Sequence, residues 1–166
     1  MSWSNALRPI VFAGLALAMA SALGGCSFTP VYSGALASQP LLDLAYAKPA
    51  NRLEQVIYQD LALRFGSSQA ETAPLASVVA SAAGTALGLS ATPYALSRMT
   101  VTATLTITRR DGSGGDPITL TRQASADYTT SSQVLTNAAA ATEASERAAK
   151  AVAESLRLAI LAALSR

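Results

Sequence analysis

The chain has 166 residues, with 12 basic and 10 acidic side chains, a formal net charge of +2, one cysteine and no histidine. Without histidine or a second thiol there is no Ser-His or Cys-His dyad, no His/Cys zinc site and no internal disulfide. No strongly basic stretch calls for nucleic acid as a partner. Carboxylate chemistry survives this filter, but no pair of acids sits in a cleft motif. Gly112, Gly114 and Gly115 lack the Lys-Ser/Thr that would complete a phosphate loop. The composition therefore points to a binding or assembly protein without cofactor or metal, not to an enzyme.

Residues 1–25 have the three parts of a secretory signal. Met1 to Pro9 carries one positive charge, Arg8; Ile10 to Leu23 is uncharged and apolar; Gly24 and Gly25 are small enough for a peptidase cleft. Cys26, the lone thiol, follows at once, where a diacylglyceryl transferase would use it as a nucleophile. A structural cysteine at the end of a buried helix is the competing explanation. The apolar run is short for that helix to span a membrane, which needs about 20 residues. The expected mature chain starts at a lipidated Cys26, and two or three acyl chains there would anchor it firmly. Ser27, standing where Asp commonly retains a lipoprotein in the inner membrane, is compatible with the outer membrane.

Residues 26–40 mix Ser, Gly, Pro and Ala and form the tether; residues 41–166 form one domain. Leu41 to Ala47 predicts a first strand with Leu42, Leu44 and Tyr46 on one face. Asn51 and Glu54 have the spacing of a capping box, and Leu53, Ile57, Leu61 and Phe65 make an apolar stripe with Val56 beside it. Gly66 then stops this helix. Pro74 to Ala83 predicts a strand, weakened at Gly84 and Gly88. Met99 to Thr108 alternates strictly: Val101, Ala103, Leu105 and Ile107 against Thr100, Thr102, Thr104, Thr106 and Thr108. Arg109 to Asp116 is a hairpin loop, and Ile118 to Thr130 returns with its apolar residues at even positions. From near Asn137 to Leu164 an Ala-rich helix buries Ala141, Ala144, Ala148, Val152, Leu156, Ile160 and Ala163. A coiled-coil partner for it is less compatible, because large residues do not recur at heptad spacing. The fold class that buries every stripe is α+β, a two-layer sandwich with two helices on one face of a four-stranded sheet. Strand order does not follow from the sequence.

Cys26-Ser27-Phe28-Thr29-Pro30-Val31-Tyr32-Ser33-Gly34 resembles the start of the mature LPS-assembly lipoprotein family, LptE, in its alphaproteobacterial form Cys-Gly-Phe-x-Pro-Leu-Tyr-Gly. Cys26, Phe28, Pro30 and Tyr32 match; Ser27 replaces Gly, and Ser33 is inserted. Asn51-Arg52-Leu53-Glu54-Gln55 looks like that family's Arg-led start of its first helix. Arg98 before the Thr-rich strand and Tyr128 before the last helix also sit where the family would have them. The resemblance implies an outer-membrane lipoprotein, lipid-anchored on the periplasmic side. It would assemble with and plug an LptD-like β-barrel and bind lipopolysaccharide on its way to the cell surface.

Against that picture, the Thr face suits either the polar lumen of a barrel or plain solvent. Arg98, Arg109 and Arg110 are candidates for lipid phosphates, since guanidinium pairs with phosphate in a bidentate way. Asp111 and Asp116 dilute the loop's charge, and exposed loop arginines are common without such a role. An auxiliary lipoprotein of an ABC-type lipid or solvent transport system is the alternative. A lipid-anchored hydrolase is disfavoured by the missing His and free Cys.

Overall fold

The computed structural model describes residues 43–88 and 94–164. The signal, Cys26 and the tether lie outside the described residues. Six elements follow in chain order: β1 (Ala45–Tyr46), α1 (Arg52–Phe65), β2 (Leu75–Ala86), β3 (Ala95–Thr108), β4 (Ile118–Thr130) and α2 (Val134–Leu164). They form an α+β sandwich of two helices on one face of a four-stranded mixed sheet, ordered β1-β2-β3-β4. β1 runs parallel to β2, as its connection through α1 requires, and the other pairs are antiparallel.

The core face follows from the strict alternation of β3. Val101, Ala103 and Leu105 are fully buried and Ile107 nearly so, while the threonines between them face the other way. Their register partners Val78, Ala80 and Ala76 on β2, and Ile118, Leu120 and Ala124 on β4, continue the same face. Onto it α1 lays Val56, Ile57, Leu61 and Phe65, and α2 lays Ala144, Ala148, Val152, Leu156 and Ile160. Each large aliphatic side chain buried in this way contributes about 1.5–3 kcal/mol. Ala141 and Ala163, at the ends of the expected α2 stripe, are only half-buried, and Ala149, Ala153 and Ala159 join it.

The start of α1 is built as its sequence predicts. The Asn51 side chain accepts the Glu54 amide hydrogen at 3.0 Å, while a Glu54 carboxylate oxygen accepts the Ala50 N–H at 2.6 Å, one residue ahead of the usual partner. Gly66 ends the helix with φ 79°, donating its N–H to the Ala62 carbonyl at 2.9 Å. Other boundaries move. Of the expected first strand, Leu41 and Leu42 lie outside the described residues; among the rest only Ala45 and Tyr46 pair, Leu44 is fully buried as expected, and Tyr46 packs edge-on against Tyr58, with ring centroids 5.7 Å apart. β2 does not stop at Ala83 but pairs on to Ala86↔Ser97, carrying Gly84 inside the strand. β3 begins at Ala95 rather than Met99. α2 begins at Val134 rather than near Asn137, because the Asn137 side chain turns back instead, accepting from the Ser131 amide at 2.8 Å and donating to the Ser131 carbonyl at 2.6 Å.

Among the described residues the outer edge of β2 is only partly covered. β1 pairs at Leu75 and Ala76, and the Ala47 N–H reaches the Ala76 carbonyl at 2.9 Å. Further along, α1 side chains replace a strand. Val78 donates its N–H to the Tyr58 hydroxyl at 2.7 Å and Ala80 donates to Glu54 Oε1 at 3.4 Å. Asn51 Nδ2 donates to the Ala80 carbonyl at 3.2 Å. This explains why Glu54 and Tyr58, polar residues on the apolar side of α1, are both buried.

Candidate functional site

Both described helices lie on one side, so among the described residues the other face of the sheet has no helix over it. Its side chains come from odd positions of β2 and β4 and even positions of β3. Register sets them in rows: Ser77, Thr106 and Thr119; Val79, Thr104 and Thr121; Ser81, Thr102 and Gln123; Ala83, Thr100 and Ser125; Thr85, Arg98 and Asp127. Hydroxyls dominate. Thr100 and Ser125 share a hydrogen bond at 2.8 Å, and Thr104 and Thr121 another at 3.0 Å, so the rows are laced across the strands. Such a surface offers short donors and acceptors over its whole area with almost no net charge.

The three arginines singled out from the sequence fall in three different environments. Arg98 lies on this open face and closes its fork on the register partner Asp127, with Nε 2.6 Å from Oδ1 and Nη2 2.9 Å from Oδ2. Hydrogen bonding within the pair holds the Asp127 carboxyl below its usual range and raises the Arg98 guanidinium further. Arg109 folds over the loop, so that a Cβ on Gly115 would meet its Nη1 at 2.8 Å. The neighbouring Asp111 accepts from both the amide and the hydroxyl of Ser113, which lowers its pKa.

Arg110 is placed differently. Its Nε donates to the Ala73 carbonyl at 2.9 Å, which fixes the side chain beside a polar cleft of about 280 Å³. Ala45 and Tyr46 of β1, Leu75 of β2 and the loop Ser67–Glu71 line the rest of it. The Tyr46 hydroxyl is buried with no hydrogen-bond partner among the described residues, and burial pushes its pKa well above the ordinary phenol range. The cleft thus holds one fixed cation, one carboxylate (Glu71), two serine hydroxyls and an amide, a donor set suited to a phosphate or a hydroxyl-rich headgroup. The length of β3 separates Arg98 from Arg109 and Arg110, on the order of 35 Å at strand rise. The three do not form one site. Sequence reasoning passed over Ser67–Glu71 and Tyr46 as cleft residues, because a polar loop after a helix gives no local sign of what it faces.

Among the described residues no three His, Cys, Asp or Glu side chains are grouped to hold a metal ion. No described helix is long and apolar enough to cross a membrane.

No protein-family model matches the chain, and no curated protein matches it. Solved structures do. A proposed lipoprotein from Caulobacter crescentus CB15 superposes with a TM-score of 0.54 at 19% identity, covering 76% of this chain and 93% of that one. The fold is shared with bacterial lipoproteins. A minor lipoprotein from Acinetobacter baumannii gives a TM-score of 0.50 at 18% identity, covering 72% of this chain and 89% of that one. At these identities the likeness is one of fold.

Proposed function

We propose that this chain is a lipoprotein of the bacterial outer membrane, anchored through an acylated Cys26. In this reading it assembles with an LptD-like β-barrel, occupies its lumen and binds lipopolysaccharide in transit. The observation that carries the reading is the hydroxyl face of the sheet: five consecutive threonines at alternate positions of β3, flanked by Thr and Ser from β4 and β2, with no helix over them among the described residues. A barrel interior is polar, and a flat face of short hydroxyls meets such a wall without burying an unpaired charge. The likeness in fold to two lipoproteins supports the anchored placement, and the Cys26–Gly34 motif supports the family. The role is occupancy and binding, not catalysis. Of the three arginines, Arg110 has a cleft beside it, so the lipid's phosphates are assigned there rather than to Arg98, whose fork is closed on Asp127.

The test is photo-crosslinking from Thr104 and Thr121 of the full-length chain in cells of its source organism, followed by identification of what is captured. A stoichiometric outer-membrane β-barrel that carries lipopolysaccharide is expected. A permease–ATPase complex, or no barrel, overturns the reading and favours an auxiliary role in ABC-type transport.

A further inference from the structure

The row of hydrogen-bonding groups beside β2 is begun by β1, continued by Ala47, Tyr58, Glu54 and Asn51, and broken off after Ala80. The Leu87 N–H bonds the Leu96 carbonyl, so odd residues of β2 point their amides at β3, and the amides and carbonyls of Ala82, Gly84 and Ala86 point outward. Among the described residues nothing meets them, and residues 81–88 are exposed on both faces. Natural sheet edges are normally guarded by charge, proline or a covering element. This one is not. No proline or charged side chain occurs in residues 75–88, and no Asp, Glu, Lys or Arg occurs anywhere in residues 72–97 or 128–142. The same end of the sheet exposes Leu87 and Leu96, with Val134 and Leu135 at the adjoining start of α2.

We infer that the open edge of β2 at Ala82–Ala86 receives an extended, uncharged strand of another protein, which continues the row that β1 begins. Strand addition of this kind takes its affinity from main-chain hydrogen bonds and its specificity from alternate side chains. The absence of charge on the edge offers a charged side chain of the incoming strand no ion-pair partner. Ala82, Gly84 and Ala86 are all small and on the side of Met99 and Tyr128, whose side chains reach over the strand: a Cβ on Gly84 would lie 3.5 Å from Met99 Cε and 3.7 Å from the Tyr128 hydroxyl. A lipid surface fits less well, because hydrocarbon has no donor or acceptor for the outward backbone groups. A second copy also fits less well. Antiparallel self-pairing centred on Gly84 ends at Ala80, where Glu54 and Asn51 already occupy the edge, and so short a run of Ala and Gly buries far less than the roughly 1,200 Å² of a stable interface.

The inference concerns the edge and stands apart from what meets the hydroxyl face, so the crosslinks from Thr104 and Thr121 fail or succeed independently of it. The test places a photo-crosslinking residue at Ala82, and separately at Ala86, of the full chain in cells of its source organism, and maps the linked residue by mass spectrometry. The expected result is capture of one other protein at one charge-free segment, with the linked position moving four residues along that segment when the label moves from Ala82 to Ala86. Gly84→Pro, whose lost N–H points away from β3, should abolish capture by labels at both positions. Ala82→Pro, tested with the label at Ala86, serves if that variant does not fold. Links to a second copy, to residues 1–42 of the same chain, to lipid, or to no fixed register overturn the inference, as does capture that survives a folded proline variant.

Discussion

The Tyr58 hydroxyl accepts the Val78 amide hydrogen at 2.7 Å, so a helix side chain stands where the carbonyl of another strand would be. The bond is buried, and Tyr58 titrates above its ordinary range chiefly because of that burial. Tyr58→Phe keeps the ring against Tyr46 but leaves the Val78 N–H without a partner. The expected loss is about 1–3 kcal/mol, read from urea unfolding, together with faster exchange of the Val78 amide. An unchanged midpoint would mean that the hydroxyl is not the group holding this edge.

The two faces of β3 predict opposite responses to the same substitution. Val101→Asp and Leu105→Asp each place an unpaired charge at a fully buried position and should abolish cooperative unfolding. Thr104→Asp, on the open face between them, should stay folded and melt close to the wild-type temperature. Circular dichroism melting curves decide it, and folded Val101→Asp and Leu105→Asp proteins would invert the assignment of faces.

Gly66 ends α1 at φ 79° and ψ −173°, a region open essentially to glycine alone. A Cβ there would meet nothing within 4 Å, so any penalty is one of backbone conformation. Gly66→Ala should cost about 1–3 kcal/mol, and Gly66→Asn should not restore it. Denaturant unfolding of both variants is the check.

Asp127 titrates below its usual carboxyl value of 3.8 because it accepts hydrogen bonds from Arg98. A carboxylate depressed in the folded state adds stability above its unfolded pKa and loses it as pH falls through the folded one. The difference in melting temperature between wild type and Asp127→Asn should therefore be steady above about pH 5 and shrink below pH 4. High salt should reduce it as well, since both partners are exposed.

Cys26→Ala should leave an uncleaved, unacylated precursor, visible as slower migration and as failure to incorporate labelled fatty acid. Normal processing of that variant would remove the lipoprotein reading at its root.

The alternation of Thr with Val, Ala, Leu and Ile in β3, the Asn51–Glu54 box and the stripes of both helices were legible because each is a local pattern, set by the pitch of its own element. The pairing of β1 beside β2, the length of β2 beyond Gly84 and the burial of Glu54 and Tyr58 were not, since all depend on which strand edge α1 happens to lie along. The site divides in the same way. Arg98, Arg109 and Arg110 look alike as letters. Asp127 across the sheet, Gly115 in the loop and the Ala73 carbonyl on another connection make them different, and none of those partners is announced by the residues next to the arginine.

The sheet order repeats the chain order, and this has a kinetic side. β2, β3 and β4 form a meander whose neighbours in space are neighbours in sequence, so each pairing closes a short loop, a topology that folds quickly for a β-containing domain. The cover arrives last. Val101, Leu105, Leu120 and Ala124 stay uncovered until α2 docks over β3 and β4, and α2 is the C-terminal element. A chain synthesised or exported from its N-terminus therefore passes through a stage with a formed sheet and a wet apolar face, and a truncation before Val152 would hold it there, prone to aggregate.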